Sequence, residues 1–459
     1  MRLKGSRSRG AVVLCTASLF VAACGSSSST SSDTTAAAAP TTAASTDTTA
    51  ASTDTTAAAV DTTVAAAASL VPDNGPCDTS KPEVELSIQT TFESAILTLK
   101  PQVDGAVAAG KAFNARGGVG GRCLKITGYD DKADPNVATD NARKVLASNA
   151  VASVNDTTFT NNAAVADIYL QGNYPRVAVS PNQADLAPAN VYNLGGGGTG
   201  TTFEMLQSLI DGGYKKVAVI HVDIPDYAAL TPLLNKIAET AGVQMVADIP
   251  VPAGTTNYDQ FVIAAEDAGA DAVMMPLGGN ESVQVMQAAA GLDTKLFFAV
   301  SLGTFGQKDI AGIGDIAKNM IFNAEVPPAS IDTKQFPAME QIVKDLSASG
   351  DAMLQRDTLQ SSAVRSWLAV YAFVTVMDKT DTANITRESV TAAFNAAKDI
   401  DMLGLQKPWT PNAIAPGGVF PRISNPNYYF ATWDGTNFKT TDAPTGDLLA
   451  TLKPTGLAG

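Results

Sequence analysis

From about residue 81 onward, short and mostly apolar runs alternate with longer segments whose apolar side chains recur every three or four positions, and few folds accept that alternation. Residues 84–89, 124–129, 150–154 and 177–179 read as buried strands, each followed by a segment with helical spacing. A second series begins at Thr201: helix 201–211, strand 217–221, helix 230–241, strand 244–249, helix 258–268, strand 272–275, helix 281–290 and strand 296–300. Buried strands separated by helices imply a doubly wound α/β sheet with parallel strands, and two successive series imply two such lobes. The length agrees, because some 385 residues exceed one ordinary core and divide naturally into two. Ligands in sheets of this kind sit outside the carboxyl ends of the strands, so two facing sheets place those ends around a cleft.

The helix boundaries carry their own chemistry. The helix at 101–115 has Pro101 at its start and Val103, Val107 and Phe113 on one side, and stops at Gly117-Gly118. The next opens with Asp134-Pro135, a capping carboxylate followed by proline at the first helical position, and turns Val137, Ala138, Ala142, Val145 and Leu146 inward. A long apolar helix at 361–377 should complete the first lobe, with its Trp367 and Tyr371 in the core. The strands expected at 428–433 and 438–440 flank Asp434-Gly435, a hairpin signal that returns the chain to the second lobe. The expected domains are therefore 77–197 with 327–417, and 198–326 with 418–450.

The first 76 residues belong to neither lobe. A basic head (Arg2, Lys4, Arg7, Arg9) leads into the apolar run 11–23, which ends Val21-Ala22-Ala23-Cys24. That order resembles a bacterial lipoprotein signal, and the run is too short to span a bilayer. The resemblance implies removal of 1–24 as a signal peptide with Cys24 as the lipid-bearing mature N-terminus; the alternative is an ordinary signal cut nearby. Residues 25–76 are chiefly Ser, Thr, Ala and Asp, with a Ser-Thr-Asp-Thr-Thr-Ala-Ala unit repeated at Ser45 and Ser52. The repeat lacks any large apolar residue, so a disordered tether is expected, about 35–40 Å end to end over its Ser/Thr/Ala-rich part.

Charge and cysteines narrow the class. Without the four basic residues of the leader, 27 Lys and Arg face 45 Asp and Glu, a net charge of −18. Such a chain repels phosphate backbones, so no nucleic-acid partner is expected. Of the four cysteines, Cys15 leaves with the leader and Cys24 is the lipidation candidate. Cys77 and Cys123 remain, each beside the start of a strand, and are expected to pair as a disulfide in an oxidising exterior; two buried free thiols are the alternative.

Several stretches together resemble a known family. Val103-Asp104-Gly105-Ala106, the run from Phe113 through Asn114-Ala115-Arg116-Gly117-Gly118 to Arg122, Tyr129-Asp130-Asp131 and Asp134-Pro135 look like the N-terminal signature of type I periplasmic solute-binding proteins, nearest the leucine/isoleucine/valine-binding type. In the second lobe Gly213-Tyr214-Lys215-Lys216-Val217, Tyr227 and Ala270-Asp271-Ala272-Val273 agree. The resemblance implies two lobes joined by three crossovers, closing over a small solute such as a branched-chain amino acid. It further implies a monomer that presents the solute to the permease and ATPase of an ABC importer, with no cofactor and no catalysis, held outside the cytoplasm by its lipid anchor.

The candidate ligand residues lie on loops at strand ends: Thr91, Phe92, Asp156, Thr157, Thr158, Ser180 and Asn182 in the first lobe, and Tyr227, Asn280 and Ser301 in the second. Their hydroxyls and amides can hold a polar solute, though short polar residues there also cap helices. The resemblance gives Tyr227 the role of covering the ligand. It also implies an acidic residue after the strand at 296–300 to meet a ligand ammonium, where this chain has Ser301-Leu302-Gly303. Asp156, Glu93 and Asp226 are the candidate substitutes.

Two rival functions remain. Gly195, Gly197 and Gly200 fit a dinucleotide fingerprint before a helix, with Asp223 some twenty residues on, the outline of an NAD(P)-dependent oxidoreductase. Against it, 190–194 reads as a poor strand, and the glycines suit a crossover hinge. A sensor with the same fold and no transport is the other rival. Catalytic and metal chemistry have little to work with. His221 is the sole histidine, and Asp130, Asp131 and Asp134 lack calcium-loop spacing.

Overall fold

The computed structural model describes residues 70–458 apart from Ile96, Asp332, Thr333, Pro416, Gly417 and Val419, with the side chain of Asp226 also excluded. The leader with Cys24 and most of the expected tether lie outside the described residues.

Two sheets form the body. The first is built from β1 (Val84–Thr90), α1 (Lys100–Asn114), β2 (Leu124–Asp130), α2 (Pro135–Ala147), β3 (Ala152–Val154), α3 (Asn162–Gln171), β4 (Arg176–Val179) and β5 (Val191–Asn193). Its strands run parallel in the order β2-β1-β3-β4-β5. β1, β3, β4 and β5 are almost wholly buried because both faces are covered, with α2 and α3 packed on one side and α1 joined by later helices on the other, while the edge strand β2 is mostly half-buried. The Asp134 carboxylate caps α2 as its sequence suggests, accepting from the amides of Asn136 at 2.7 Å and Val137 at 3.1 Å.

β5 corrects the sequence reading. Asn190 and Asn193 make 190–194 look too polar for a buried strand, yet both are buried and their side-chain amides donate to carbonyls, Asn190 to Tyr174 at 2.8 Å and Asn193 to Arg422 at 3.0 Å. These bonds meet the amide donors, while the side-chain oxygens of both residues have no partner among the described residues.

The chain then leaves for the second sheet through α4 (Gly197–Asp211), β6 (Lys216–Val222), α5 (Pro225–Ala228), α6 (Thr231–Thr240), β7 (Gln244–Val251), α7 (Asp259–Asp267), β8 (Ala272–Met275), α8 (Gly279–Gly291), β9 (Phe297–Ser301), α9 (Gln307–Ile313) and β10 (Met320–Ala324). It returns with α10 (Pro337–Ser347), α11 (Ser361–Met377) and α12 (Arg387–Ala396), which close the first sheet against α1. A third crossing delivers β11 (Asn427–Trp433), β12 (Phe438–Thr440), β13 (Gly446–Asp447) and α13 (Leu448–Leu452). The second sheet has the order β12-β11-β10-β9-β8-β6-β7, with β13 beside β11. It is mixed rather than wholly parallel, because β11 runs antiparallel to β10 and forms with β12 the hairpin that Asp434-Gly435 announces. The architecture is thus two α/β layers joined by three crossings.

α11 is the interior post of the first layer. Trp367 and Tyr371 stack at 5.6 Å between ring centres beside Phe113 of α1, and the Trp367 indole donates to Asp345 at 2.9 Å. These aromatics are core, as their helical spacing suggests.

A disulfide joins Cys77 to Cys123 and ties the starts of the paired strands β1 and β2. The bridge spans 46 residues, for which chain entropy gives about 4 kcal/mol. Replacing both cysteines by alanine is expected to lower the unfolding free energy by that order in urea titrations; an unchanged midpoint would contradict the assignment.

Candidate functional site

The carboxyl ends of β3, β4, β6, β8, β9 and β10 surround a cavity of about 540 Å³, within the range of small-molecule pockets. Its walls are largely apolar. Leu97, Leu99 and Phe159 come from the first layer, and Ile224, Leu230 and Met275 from the second. Polar groups cluster where the first turn of α4 and the start of α11 approach the ends of β3, β4 and β10.

Five of the sequence-predicted residues line this cavity: Thr157, Ser180, Asn182, Tyr227 and Ser301. The Thr157 hydroxyl accepts from Gln102 of α1 at 3.0 Å, and the Asn182 amide donates to the Thr158 carbonyl, fixing the loops after β3 and β4 to each other. Ser301 takes the capping role open to it in sequence, accepting from the Gly303 amide at 3.1 Å. Tyr227 is 4 % exposed, with its ring stacked on His221 at 4.0 Å between centres. Burial pushes its phenol up, so it stays neutral, and its hydroxyl has no hydrogen-bond partner among the described residues. His221 itself meets Asp248 through Nε2 at 2.7 Å and does not line the cavity.

The other five predicted residues lie elsewhere. The Thr91 hydroxyl donates to Asp131 at 2.5 Å, tying the ends of β1 and β2 together. Phe92 packs beside Val103 and Gly128. Thr158 is buried without lining the cavity, and Asn280 is exposed in the first turn of α8. Asp156 is wholly buried and serves Arg176, which points back from β4: the guanidinium Nε donates to Asp156 at 2.8 Å and Nη1 to Asp185. Burial works against the charge of Arg176, but the two carboxylates hold it protonated. An isolated ion at that depth would be costly, so Asp156 is committed to this pair and unavailable to a ligand. Glu93 is exposed in the loop after β1, and the side chain of Asp226 lies outside the described residues.

The carboxylate that does line the cavity is Glu325, just beyond β10, and opposite it stands Arg365 of α11. The two form an ion pair. Arg365 Nη1 also donates to the Ser180 hydroxyl at 3.0 Å and Nη2 to the Val179 carbonyl at 3.2 Å, while Glu325 Oε1 accepts from the Gly197 amide at 2.8 Å. The sequence reading missed both residues. Arg365 was hidden in a helix read as core, although a lone guanidinium in so apolar a helix has to find an anion.

That arrangement also decides the glycine motif. Gly197 opens α4 at φ 58°, and a Cβ there would lie 2.2 Å from the ring of Pro181. At Gly195 a Cβ would lie 2.0 Å from the Glu325 carboxylate. The glycines let segments pass in close contact at the first crossing. The helix start where a pyrophosphate would rest already holds the protein's own carboxylate. In addition, β5 belongs to the first sheet whereas α4 packs on β8, β9 and β10 of the second, so strand and helix do not make the single unit a dinucleotide fold requires.

The acidic loop Asp130, Asp131 and Asp134 is likewise occupied: Asp130 accepts from the amides of Phe92 and Lys132, and Asp131 from Thr91 and Ala133. Among the described residues no cluster of His, Cys, Asp and Glu is arranged to hold a metal, and no helix is long and apolar enough to cross a membrane.

Comparison with known proteins meets this geometry. A family model described as periplasmic binding protein matches residues 93–437. A Leu/Ile/Val-binding protein homolog 7 from Brucella suis is 24 % identical over 256 residues, covering 52 % of this chain and 64 % of that relative, so the match spans under two thirds of its length. Among solved structures, a fatty acid ABC transporter substrate-binding protein from Thermomonospora curvata superposes with a TM-score of 0.66 at 18 % identity, over 82 % of this chain and 95 % of that one. An ABC transporter substrate-binding protein from Desulfitobacterium hafniense in complex with Leu gives 0.56 at 12 % identity, over 78 % and 100 %. The fold is that of these solute-binding proteins. The chain belongs to the periplasmic binding protein family.

Behind the ion pair lies Glu204 of α4, fully buried and accepting from Asn323 at 2.8 Å. Burial first, and then the neighbouring Glu325, hold its carboxyl well above the usual glutamate range, against the opposing pull of Asn323 and Arg365. The folded state therefore keeps a proton that the unfolded chain releases, so stability falls as pH rises from the ordinary glutamate value through the raised one. Glu204→Gln preserves an acceptor for Asn323 and removes that loss. Its unfolding free energy should match the parent near pH 4 and exceed it increasingly above, by up to about 1.4 kcal/mol per pH unit within the window. Equal differences at pH 4 and pH 7 in urea titrations would contradict this.

Proposed function

We propose that the chain is the extracytoplasmic solute-binding component of an ABC-type importer, held at the membrane by a lipid on Cys24 and acting as a monomer. Residues 77–197 with 327–417 and 198–326 with 418–450 form two lobes that close on a small solute and release it unchanged. The observation that carries this reading is the cavity, which is built from strand ends of both sheets and lined by five residues expected from the sequence to contact a ligand. A solute touching both sides at once stabilises the closed arrangement, and a permease can then recognise that state. Family membership and the transport roles of its named relatives support import over sensing.

An amino-acid solute is the reading those names favour. An amino acid brings an ammonium that needs an anion, and Glu325, the carboxylate that lines the cavity, is already engaged by Arg365 and the Gly197 amide. The reading therefore commits to a small solute with a mainly apolar body rather than to a branched-chain amino acid.

Small-angle X-ray scattering on the protein stripped of bound molecules, with and without the molecules extracted from it, tests the mechanism. Closure is expected to reduce the radius of gyration on adding back the extract, and an unchanged radius at saturation would contradict it.

A further inference from the structure

Beside the main cavity lies a smaller one of about 100 Å³, and the two share Val222, Leu277 and Gly278 at the ends of β6 and β8. Both layers reach it. Ala95, in the loop after β1, comes from the first, while Tyr258 and Glu281, at the starts of α7 and α8, come from the second. Its charge differs from that of the main cavity, where Glu325 and Arg365 engage each other.

Glu281 is half-buried, and its carboxylate accepts from its own amide in the first turn of α8 but pairs with no Lys, Arg or His among the described residues. Burial pushes that carboxyl above the usual glutamate range, as expected of an anion that has lost water without gaining a counter-charge. A helix start favours an acidic residue for its own sake, so position alone does not set this one apart. The hollow it lines and the ring beside it do. Tyr258 lines the same hollow, and its phenol is raised by burial first and then by the nearby Glu281 charge. A carboxylate beside an aromatic ring in a sheltered hollow suits an ammonium, which gains a charge-assisted hydrogen bond from the one and a cation–π attraction from the other.

We propose that this hollow is an ammonium subsite of the solute site: the solute is an amine whose apolar body occupies the main cavity and whose charged end meets Glu281 and Tyr258. The inference rests on the solute-binding reading above and names the chemical class that site selects. Glu281 and Tyr258 are its specificity-determining residues, and Ile224, Leu230 and Met275 receive the hydrocarbon. The acidic surplus of the chain, 45 Asp and Glu against 31 Lys and Arg, draws such a cation toward the protein.

Calorimetric titration of the purified, stripped full-length protein with octylamine, ethylamine, octanoate and octanamide tests this. Octylamine is expected to bind about tenfold more tightly than octanoate or octanamide, and on the order of a hundredfold more tightly than ethylamine, which is too short to occupy both hollows. Glu281→Gln is expected to weaken octylamine about tenfold and to leave octanamide unchanged, at an unchanged thermal midpoint. Tyr258→Leu is expected to weaken octylamine severalfold, and it decides should Glu281→Gln fail to fold. Octanoate or octanamide binding as tightly as octylamine, ethylamine matching it, or an octylamine affinity that neither folded variant lowers overturns the inference and leaves the solute-binding reading in place. If none of the four binds, the molecule extracted from the native protein decides: an amine with an apolar body supports the inference, any other molecule overturns it alone, and no extractable molecule overturns the solute-binding reading with it.

Discussion

The ion pair between Glu325 and Arg365 is the junction on which the structure turns. Three parts of the chain that are far apart in sequence meet there: the Gly197 amide that opens α4 after the first crossing, Glu325 just past β10 at the start of the second, and Arg365 on the returning helix α11. Each solves a problem for another. The helix start has unsatisfied N–H groups and a positive end, which Glu325 meets. The carboxylate is buried and needs a cation, which Arg365 supplies. The guanidinium in turn braces the end of β4 through Val179 and Ser180. Removing one member leaves the others buried and unmet, which is costly.

The same junction shapes the cavity. It pairs the charges of both groups, so a cavity with an arginine and a glutamate in its wall is otherwise largely apolar. A second buried network, Arg176 with Asp156 and Asp185, does comparable work below the first sheet, joining the loop after β3 to β4 and the turn beyond it. Both networks use arginine, whose planar fork can reach several acceptors from one position.

Most of the fold was legible in the sequence because alternating apolar runs and helical periods report burial on two faces, and because the Asp134-Pro135 and Asp434-Gly435 signals act locally. β5 was not, since Asn190 and Asn193 read as polar until their carbonyl partners, Tyr174 and Arg422, are brought near by the fold. The site was half legible. Loops at strand ends are predictable from topology, and Thr157, Ser180, Asn182, Tyr227 and Ser301 do reach one cavity. Asp156 was misplaced because its partner Arg176 comes from the next strand, and Glu325 and Arg365 were missed because their pairing spans the second crossing. Charge pairs between distant segments leave no local period, so a sequence shows the lone ion and not its partner.

The account stands most directly on where a solute sits. A crystal structure of the protein with its solute is predicted to show the molecule between the ends of β4 and β6, against Arg365 and Tyr227, with the Glu325–Arg365 pair intact. A solute bound on an outer face, or one that displaces Glu325 from the start of α4, would contradict it.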